Sequence, residues 1–146
     1  MNSMPFDIRL AELGDAHSIA DLSAQWGYQS SHEKIKYLLN EISQNKDHAI
    51  FVLPNENQLI GWIHGIYSLR VESDPFVEIG GLVVDKDFRR HGSGKLLVNK
   101  MIEWSLSRNC HLIRVRCNII RREANAFYGA IGFNEIKQQK VYDMNV

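Results

Sequence analysis

The sequence predicts a mixed α/β (α+β) fold, in which helices cover both faces of one mostly antiparallel central sheet. Apolar residues alternate in several short runs, as is typical of strands, and recur at helical spacing in others. The two kinds of segment follow each other in the order β-α-α-β-β-β-α-β-α-β. At 146 residues the chain is long enough to bury one hydrophobic core, so we expect a single domain over residues 1–146.

The first elements are predicted to be one strand and two helices. Phe6–Leu10 alternates like a strand, and Ala16–Gln25 has apolar residues near helical spacing. Glu33–Gln44 carries a clear apolar face, and the serines at 30 and 31 offer an N-cap just before it. These segments predict β, α and α in that order.

Three antiparallel strands are predicted next. The first is His48–Leu53, and the second is Leu59–Val71, which follows a turn at Pro54–Asn57. The third is Phe76–Val84, and the composition of Ser73–Pro75 before it indicates another turn. Consecutive strands joined by short turns favour antiparallel pairing.

The second half of the chain is predicted to alternate between helix and strand. Helical spacing covers Gly94–Leu106 and Arg122–Ala130, and extended segments are expected at Leu112–Cys117 and Phe133–Tyr142. The crossover within residues 76–117 places two strands parallel. The predicted sheet is therefore mixed.

Composition excludes several classes of protein. Seventeen basic residues balance seventeen acidic ones, so we expect neither a nucleic-acid partner nor an anionic membrane surface. No apolar run approaches the roughly 18 residues that would span a bilayer, and no secretory signal is recognised, so a cytoplasmic location is expected. Cys110 and Cys117 form no ligand pattern and the six histidines are scattered, so we predict no metal.

The segment from residue 89 to residue 95 has the composition of an anion-binding loop at the start of a helix. Gly92 and Gly94 carry no side chain and can adopt positive φ, so backbone N–H groups can approach a ligand. Arg89, Arg90 and Lys95 add positive charge, which suits a pyrophosphate. The alternative is a tight turn with solvated arginines. Neither a P-loop nor a dinucleotide fingerprint is present.

Two stretches of the chain together resemble the GCN5-related N-acetyltransferase (GNAT) superfamily. The first is Leu82-Val83-Val84 with the later Arg89-Arg90-His91-Gly92-Ser93-Gly94-Lys95, and the second is Ala124–Phe133 with its Phe-Tyr and Gly-Phe pairs. The resemblance implies a GNAT-like fold with a V-shaped opening between the fourth and fifth strands. It also implies acetyl-CoA as co-substrate.

The resemblance assigns cofactor roles to particular positions. Backbone groups of Leu82, Val83 and Val84 would bind the pantetheine arm like an added strand. The pyrophosphate would lie on Arg89, Arg90, His91, Gly92, Ser93, Gly94 and Lys95. Many family members have an Asn where this chain has Arg121, so Asn118 or Asn125 is the candidate amide, and each is equally suited to a turn or a cap.

Catalytic roles follow from the same resemblance. Glu78 lies eleven residues before Arg89, the offset of a general-base glutamate in the family. It could instead be an ordinary polar strand residue, and Glu72 and Asp74 are alternative bases. The backbone N–H of Leu82 would stabilise the oxyanion. Tyr128 would protonate the departing thiolate, and also contact the cofactor.

The implied function is an acetyl-CoA-dependent N-acetyltransferase that moves an acetyl group to a primary amine by direct attack in a ternary complex. The acceptor, a small molecule or a peptide, would contact Trp26, Tyr28, Glu78 and Lys140. The resemblance is also compatible with a homodimer. The alternative is a non-catalytic acyl-CoA-binding sensor or partner-docking module on the same fold.

Overall fold

A five-stranded sheet organises the larger part of the chain in the computed structural model, which describes residues 7–146. Its strands, in spatial order, are β1 Arg9–Leu10, β2 His48–Asn55, β3 Gln58–Arg70, β4 Ser73–Val84 and β5 Ile113–Val115. Neighbouring strands are antiparallel except β4 and β5, which are parallel. The predicted mixed, mostly antiparallel sheet and its parallel crossover are confirmed.

Four α-helices accompany the sheet among the described residues. They are α1 Ala16–Ala24, α2 His32–Ser43, α3 Ser93–Ser107 and α4 Arg122–Ala130, with short 3-10 turns at Leu13–Asp15 and Lys86–Phe88. The chain divides into two compact units, one ending at Arg116 and the other running from Cys117 to Val146. Within residues 7–146, every helix is too short or too polar to cross a bilayer.

Helices of the first unit lie on both faces of the sheet, as predicted. On one face, Val52 of β2 packs against Ile19 of α1 and Leu39 of α2. On the other face, α3 approaches β3 so closely that a methyl group at Gly65 would overlap the side chain of Met101. The two apolar layers fix the positions of the strand ends that form the candidate site.

Helix boundaries agree with the predicted ones to within one or two residues. Ser31 is the N-cap of α2, and its side chain accepts a hydrogen bond from the Lys34 N–H at 3.1 Å. The bounds of α4 are those predicted, and Gly132 follows its end with φ of 112°. Local capping chemistry is therefore a reliable guide to the helices of this chain.

Two predictions about the strands are wrong. Ser73–Pro75 belongs to β4, and the turn before it lies at Val71 and Glu72. The predicted final strand over Phe133–Tyr142 is absent from the described part of the chain, so the element order ends on α4. Apolar residues of that segment, such as Val141, are largely exposed, so it has no buried face to pair and pack as a strand.

Candidate active site

One edge of β4 is open beyond its midpoint. The short strand β5 pairs with β4 only from Val77 to Ile79, because β5 ends at Val115. Within residues 7–116, no other strand covers that edge from Gly80 to Val84. The sheet is therefore open at the position where the fourth and fifth strands are predicted to separate.

A β-bulge lies at the start of the open stretch. Gly65 of β3 pairs with Ile79, and the preceding residue, His64, pairs with Gly81. Gly80 is thus an extra residue without a partner of its own on β3. An extra residue reverses the alternation of a strand, so every backbone group after it points to the side opposite to the one it would otherwise face.

Backbone hydrogen bonds on both sides of the bulge show this reversal. The N–H of Val77 donates to the Leu112 carbonyl beside β5 at 2.9 Å, whereas the N–H of Asp85 donates to a β3 carbonyl at 2.8 Å. In a regular strand both residues would point the same way, since they are an even number of positions apart. The bulge therefore turns the backbone of Leu82 and Val84 towards the open edge and that of Val83 towards β3.

The variant Gly81→Ala tests whether the bulge requires a residue without a side chain at position 81. A methyl group there would lie 2.6 Å from the Trp62 ring, whereas the atom nearest to one at Gly80 would be the flexible end of Ile66, at 3.2 Å. We expect Gly81→Ala to lower the free energy of unfolding by about 1–3 kcal/mol and to reduce activity, because Leu82 is the next residue. Gly80→Ala is the matched control. Urea unfolding should separate the two variants, and equal losses would contradict the steric explanation.

Trp26, in the loop between α1 and α2, is attached to the end of the open edge. Its indole N–H donates to the Val84 carbonyl at 3.0 Å. The Arg89 guanidinium lies 4.6 Å from the centre of the ring, and the Lys86 ammonium lies 5.5 Å from it. Trp26 thus joins β4 to the cationic loop, whereas the sequence predicted a contact with the acceptor. Tyr28, the other aromatic residue predicted there, is half-exposed.

Gln25 and Asp85, neither of which was predicted from the sequence as a site residue, support the same connection. The Gln25 amide donates to the Asp85 carboxylate at 3.1 Å and accepts from the Lys86 N–H at 3.0 Å. Asp85 also caps the 3-10 turn by accepting from the Asp87 N–H at 2.8 Å. The Asp just after a strand is a detectable capping signal, but no local pattern reveals a partner 60 residues away.

The cationic loop leads directly into the N-terminus of α3. Gly92 is the N-cap, with φ of 82° and ψ of 4°, and Arg90 also has positive φ, of 64°. Both Gly92 and Gly94 were expected to be able to adopt positive φ. Only Gly92 does so, because Gly94 lies inside the first helical turn. The first turn contains Lys95 and no acidic residue, and a helix leaves its first N–H groups without helical partners. The segment is suited to bind an anion.

Trp26→Phe should selectively weaken the binding of acetyl-CoA, the co-substrate that the sequence resemblance implies. The change keeps an aromatic ring but removes the donor to Val84, a neutral hydrogen bond of about 1 kcal/mol, so we expect the KM for acetyl-CoA to rise by about 3- to 10-fold. The kcat should stay near that of the unmodified enzyme. Steady-state kinetics with each substrate varied in turn checks this, with Trp104→Phe on α3 as control. A rise confined to the acceptor KM would support the predicted acceptor contact instead.

Glu78 lies on β4 just before the bulge, with its side chain on the face opposite to that of the buried Ile79. Its carboxylate lies 3.2 Å from Arg116 and 3.9 Å from Arg70. The same oxygen, Oε1, is buried, and none of the described residues donates a hydrogen bond to it with proper geometry. The ion pairs therefore hold the carboxylate in place, and 19% of the side-chain surface stays exposed.

The unit from Cys117 to Val146 contains the other predicted site residues. The Asn118 side chain accepts from the Ile120 N–H at 3.2 Å, and the Asn125 amide donates to the carbonyls of Asn118 and Arg121. Both amides thus have the turn and capping roles that their positions allowed. Tyr128 is half-buried, with its ring 5.5 Å from that of Phe133 in an edge-to-face arrangement. Lys140 is exposed.

An open strand edge followed by a cationic helix N-terminus defines a site for an extended ligand with a phosphate group. The sequence model of the acetyltransferase (GNAT) family matches residues 16–133. The chain therefore belongs to the GNAT acetyltransferase family. This confirms the family and the class of enzyme, N-acetyltransferase, that the two sequence motifs predicted.

Individual relatives agree with this assignment. An uncharacterized N-acetyltransferase of Methanocaldococcus jannaschii is 34% identical over 65 residues, which cover 44% of this chain but only 29% of that protein. The aminoglycoside N-acetyltransferase AAC(6')-Iy has a similar structure, with a TM-score of 0.85 at 20% identity. The alignment covers 97% of this chain and 99% of that one. That enzyme was solved with the bisubstrate analogue CoA-S-monomethyl-acetylneamine. Glucosamine-6-phosphate N-acetyltransferase from Arabidopsis thaliana has a TM-score of 0.81 at 23% identity, covering 96% and 99%. The predicted fold and the predicted co-substrate, acetyl-CoA, are supported.

Proposed function

We propose that the protein transfers the acetyl group of acetyl-CoA to a primary amine by direct attack in a ternary complex. The observation that carries this proposal is the open edge of β4, where Leu82 and Val84 face outward immediately before the cationic start of α3. This order along the chain provides hydrogen-bond partners for a pantetheine arm and then charge for a pyrophosphate. The chain belongs to a family of acetyltransferases, for which a ligand of this kind is a substrate.

In this proposal the pantetheine amides pair with the outward-facing groups of β4 as an added strand would. The Leu82 N–H is then the donor available to a developing oxyanion on the acetyl carbonyl, a contribution of roughly 3–4 kcal/mol where such a donor has been removed. The pyrophosphate lies on the segment from Arg89 to Lys95. The Val84 carbonyl contributes little, because it already accepts from Trp26.

A cationic amine loses two protons in the transfer, one before its nitrogen can attack and one as the amide forms, and the sulfur gains one. The amine nitrogen attacks the acetyl carbonyl carbon, and the carbon–sulfur bond breaks as the amide forms. We assign the base to Glu78, acting directly or through a water. Tyr128 supplies a proton to the thiolate, and Asn118 stays a candidate contact for the cofactor arm.

We propose a small-molecule amine, not a peptide, as the acceptor class. The solved relatives named for their acceptors act on an aminoglycoside and on glucosamine 6-phosphate, although their identities to this chain are only 20% and 23%. Glu72 lies in the turn before β4 and Asp74 lies near the start of β4, so both precede Glu78 along the chain. Their negative charges would attract a cationic amine. A cytoplasmic location and a homodimer stay predictions.

The proposal is tested by a thiol-release screen of acetyl-CoA against a library of amino sugars, polyamines and short peptides. We expect turnover with at least one amino sugar or polyamine, and strong loss of it in Glu78→Gln and Tyr128→Phe. Glu41→Gln, an exposed change on α2, is the matched control. Tight acetyl-CoA binding with no thiol release from any amine would favour the alternative, a sensor or docking module.

A further inference from the structure

We propose that His17, Asp21 and His32 form a binding site for a divalent transition-metal ion such as Zn²⁺. Each side chain offers one ligand atom, and the three atoms lie within 4.8 Å of one another. Among residues 7–146, this is the one group of three such side chains close enough to share an ion. The site is separate from the acetyl-transfer chemistry, which requires no metal.

The helices place these three side chains together. His17 and Asp21 are four residues apart on α1 and therefore lie on one face of it, and His32 is the first residue of α2. The packing of Ile19 and Leu39 in a shared core fixes the two helices relative to each other. Only side-chain rotations are then needed to complete the site, so little ordering of the backbone opposes ion binding.

Distances within the cluster are close to those that a small ion requires. His32 Nε2 lies 2.9 Å from Asp21 Oδ1, and His17 Nε2 lies 4.0 Å from Asp21 Oδ2. Metal bonds of about 2.0–2.1 Å in a tetrahedral arrangement place ligand atoms roughly 3.3 Å apart, which falls between these two values. The two imidazole rings also lie close together, with centroids 3.4 Å apart and planes tilted by 37°, and their ligand nitrogens lie within 4.8 Å of each other.

The type of ligand indicates the type of ion. Two imidazoles and one carboxylate suit Zn²⁺, Co²⁺, Ni²⁺ or Cu²⁺, whereas Ca²⁺ and Mg²⁺ prefer oxygen ligands. Three protein ligands leave at least one position for water. All three side chains are exposed, so an ion can enter without any part of the fold opening. An ion pair between Asp21 and His32 alone would not require a second imidazole as close as that of His17.

An ion at this site would join the two ends of the loop between α1 and α2. That loop contains Trp26, whose indole is hydrogen-bonded to the end of β4. Fixing both ends of the loop reduces its freedom to move away from the cationic segment. We therefore expect metal binding to tighten the binding of acetyl-CoA, an effect that rests on the proposed cofactor site, whereas metal binding itself does not.

Calorimetric titration of tag-free, metal-stripped protein with Zn²⁺ tests the site. We expect one ion to bind, and the double variant His17→Gln/His32→Gln to bind it at least about tenfold more weakly. His111→Gln, an exposed histidine outside the cluster, should bind Zn²⁺ as the unmodified protein does. Co²⁺ should give visible absorption bands of a tetrahedral or five-coordinate complex that the double variant lacks. Equal Zn²⁺ affinity in the double variant and the unmodified protein would overturn the proposal.

A second titration separates the metal site from the proposed function. The affinity for acetyl-CoA, which has no free thiol to bind zinc, is measured with and without one equivalent of Zn²⁺. A higher affinity for acetyl-CoA in the presence of Zn²⁺ supports the proposal that the ion joins the ends of the loop between α1 and α2. An unchanged affinity overturns that part of the proposal. Failure of acetyl transfer with every amine would leave the Zn²⁺ titration unaffected, so the two proposals fail independently.

Discussion

Glu78→Gln should lower kcat/KM for acetyl transfer by at least about 100-fold, the lower end of what a positioned general base contributes. The amide keeps the shape of the side chain but cannot take a proton from the attacking amine. The loss should appear in kcat, because the change leaves the open edge of β4 and the cationic loop intact. Steady-state kinetics with the best acceptor from the thiol-release screen measures it.

The fold should tolerate this substitution, which keeps the kinetic result interpretable. Arg70 and Arg116, the ion-pair partners of Glu78, are each nearly half exposed, so water can solvate them when the carboxylate is replaced. Because the arginine side of each pair is exposed to water, we expect the pairs to contribute only about 1 kcal/mol. Thermal unfolding followed by circular dichroism should therefore show only a small shift in Tm.

Two further variants decide whether the carboxylate of Glu78 is the group responsible. Glu78→Asp keeps the carboxylate but shortens the side chain, so its activity should lie between those of the Gln variant and the unmodified enzyme. Activity of Glu78→Gln within about threefold of the unmodified enzyme would rule out Glu78 as the base. Glu72→Gln and Asp74→Asn would then be tested, although both residues are exposed and lie farther from Leu82 along the chain.

The sequence was sufficient to predict most of the fold because its signals are local. Apolar spacing and caps fix the helices, as Ser31 does for α2 and Gly132 does after α4. The parallel pairing of β4 with β5 follows from the crossover rule. The predicted strand at Phe133–Tyr142 failed because alternation indicates an extended segment only when another strand and a buried face are available.

The candidate site was predictable in part. The cationic loop and its glycine N-cap are visible as a motif, and the bulge in β4 lies at two adjacent glycines, a residue type that often marks a bulge in a strand. Which residue faces the open edge depends on pairing with β3, so Leu82 and Val83 could not be distinguished from the sequence. The contact of Trp26 with Val84 joins positions 58 residues apart, a separation that no local pattern describes.

The pKa of the His64 side chain also depends on contacts across the sheet. It lies on β3 beside the bulge, where a methyl group at Gly80 would be 3.5 Å from its Nδ1, and its Nε2 lies 2.9 Å from His48 Nδ1 on β2. Burial, which is the larger cause, and the charge of His48 together lower the pKa of His64 from 6.5 to about 4. His64 is therefore neutral at pH 7.

The depressed pKa of His64 predicts that stability falls in acid. Between pH 6.5 and about 4 the unfolded chain binds a proton at this position and the folded protein does not, so the free energy of unfolding decreases as the pH falls. The full contribution is about 3 kcal/mol, it is present above pH 6.5, and it is lost once the pH reaches about 4.

Urea unfolding at a series of pH values across this window measures the effect. His64→Gln should flatten the pH dependence, because its amide does not titrate, whereas the exposed His111→Gln should leave it unchanged. His48→Gln should give an intermediate slope, since it removes the repulsion but not the burial of His64. The same acid dependence in His64→Gln and the unmodified protein would show that other groups cause it, because a residue that no longer titrates cannot contribute to the slope.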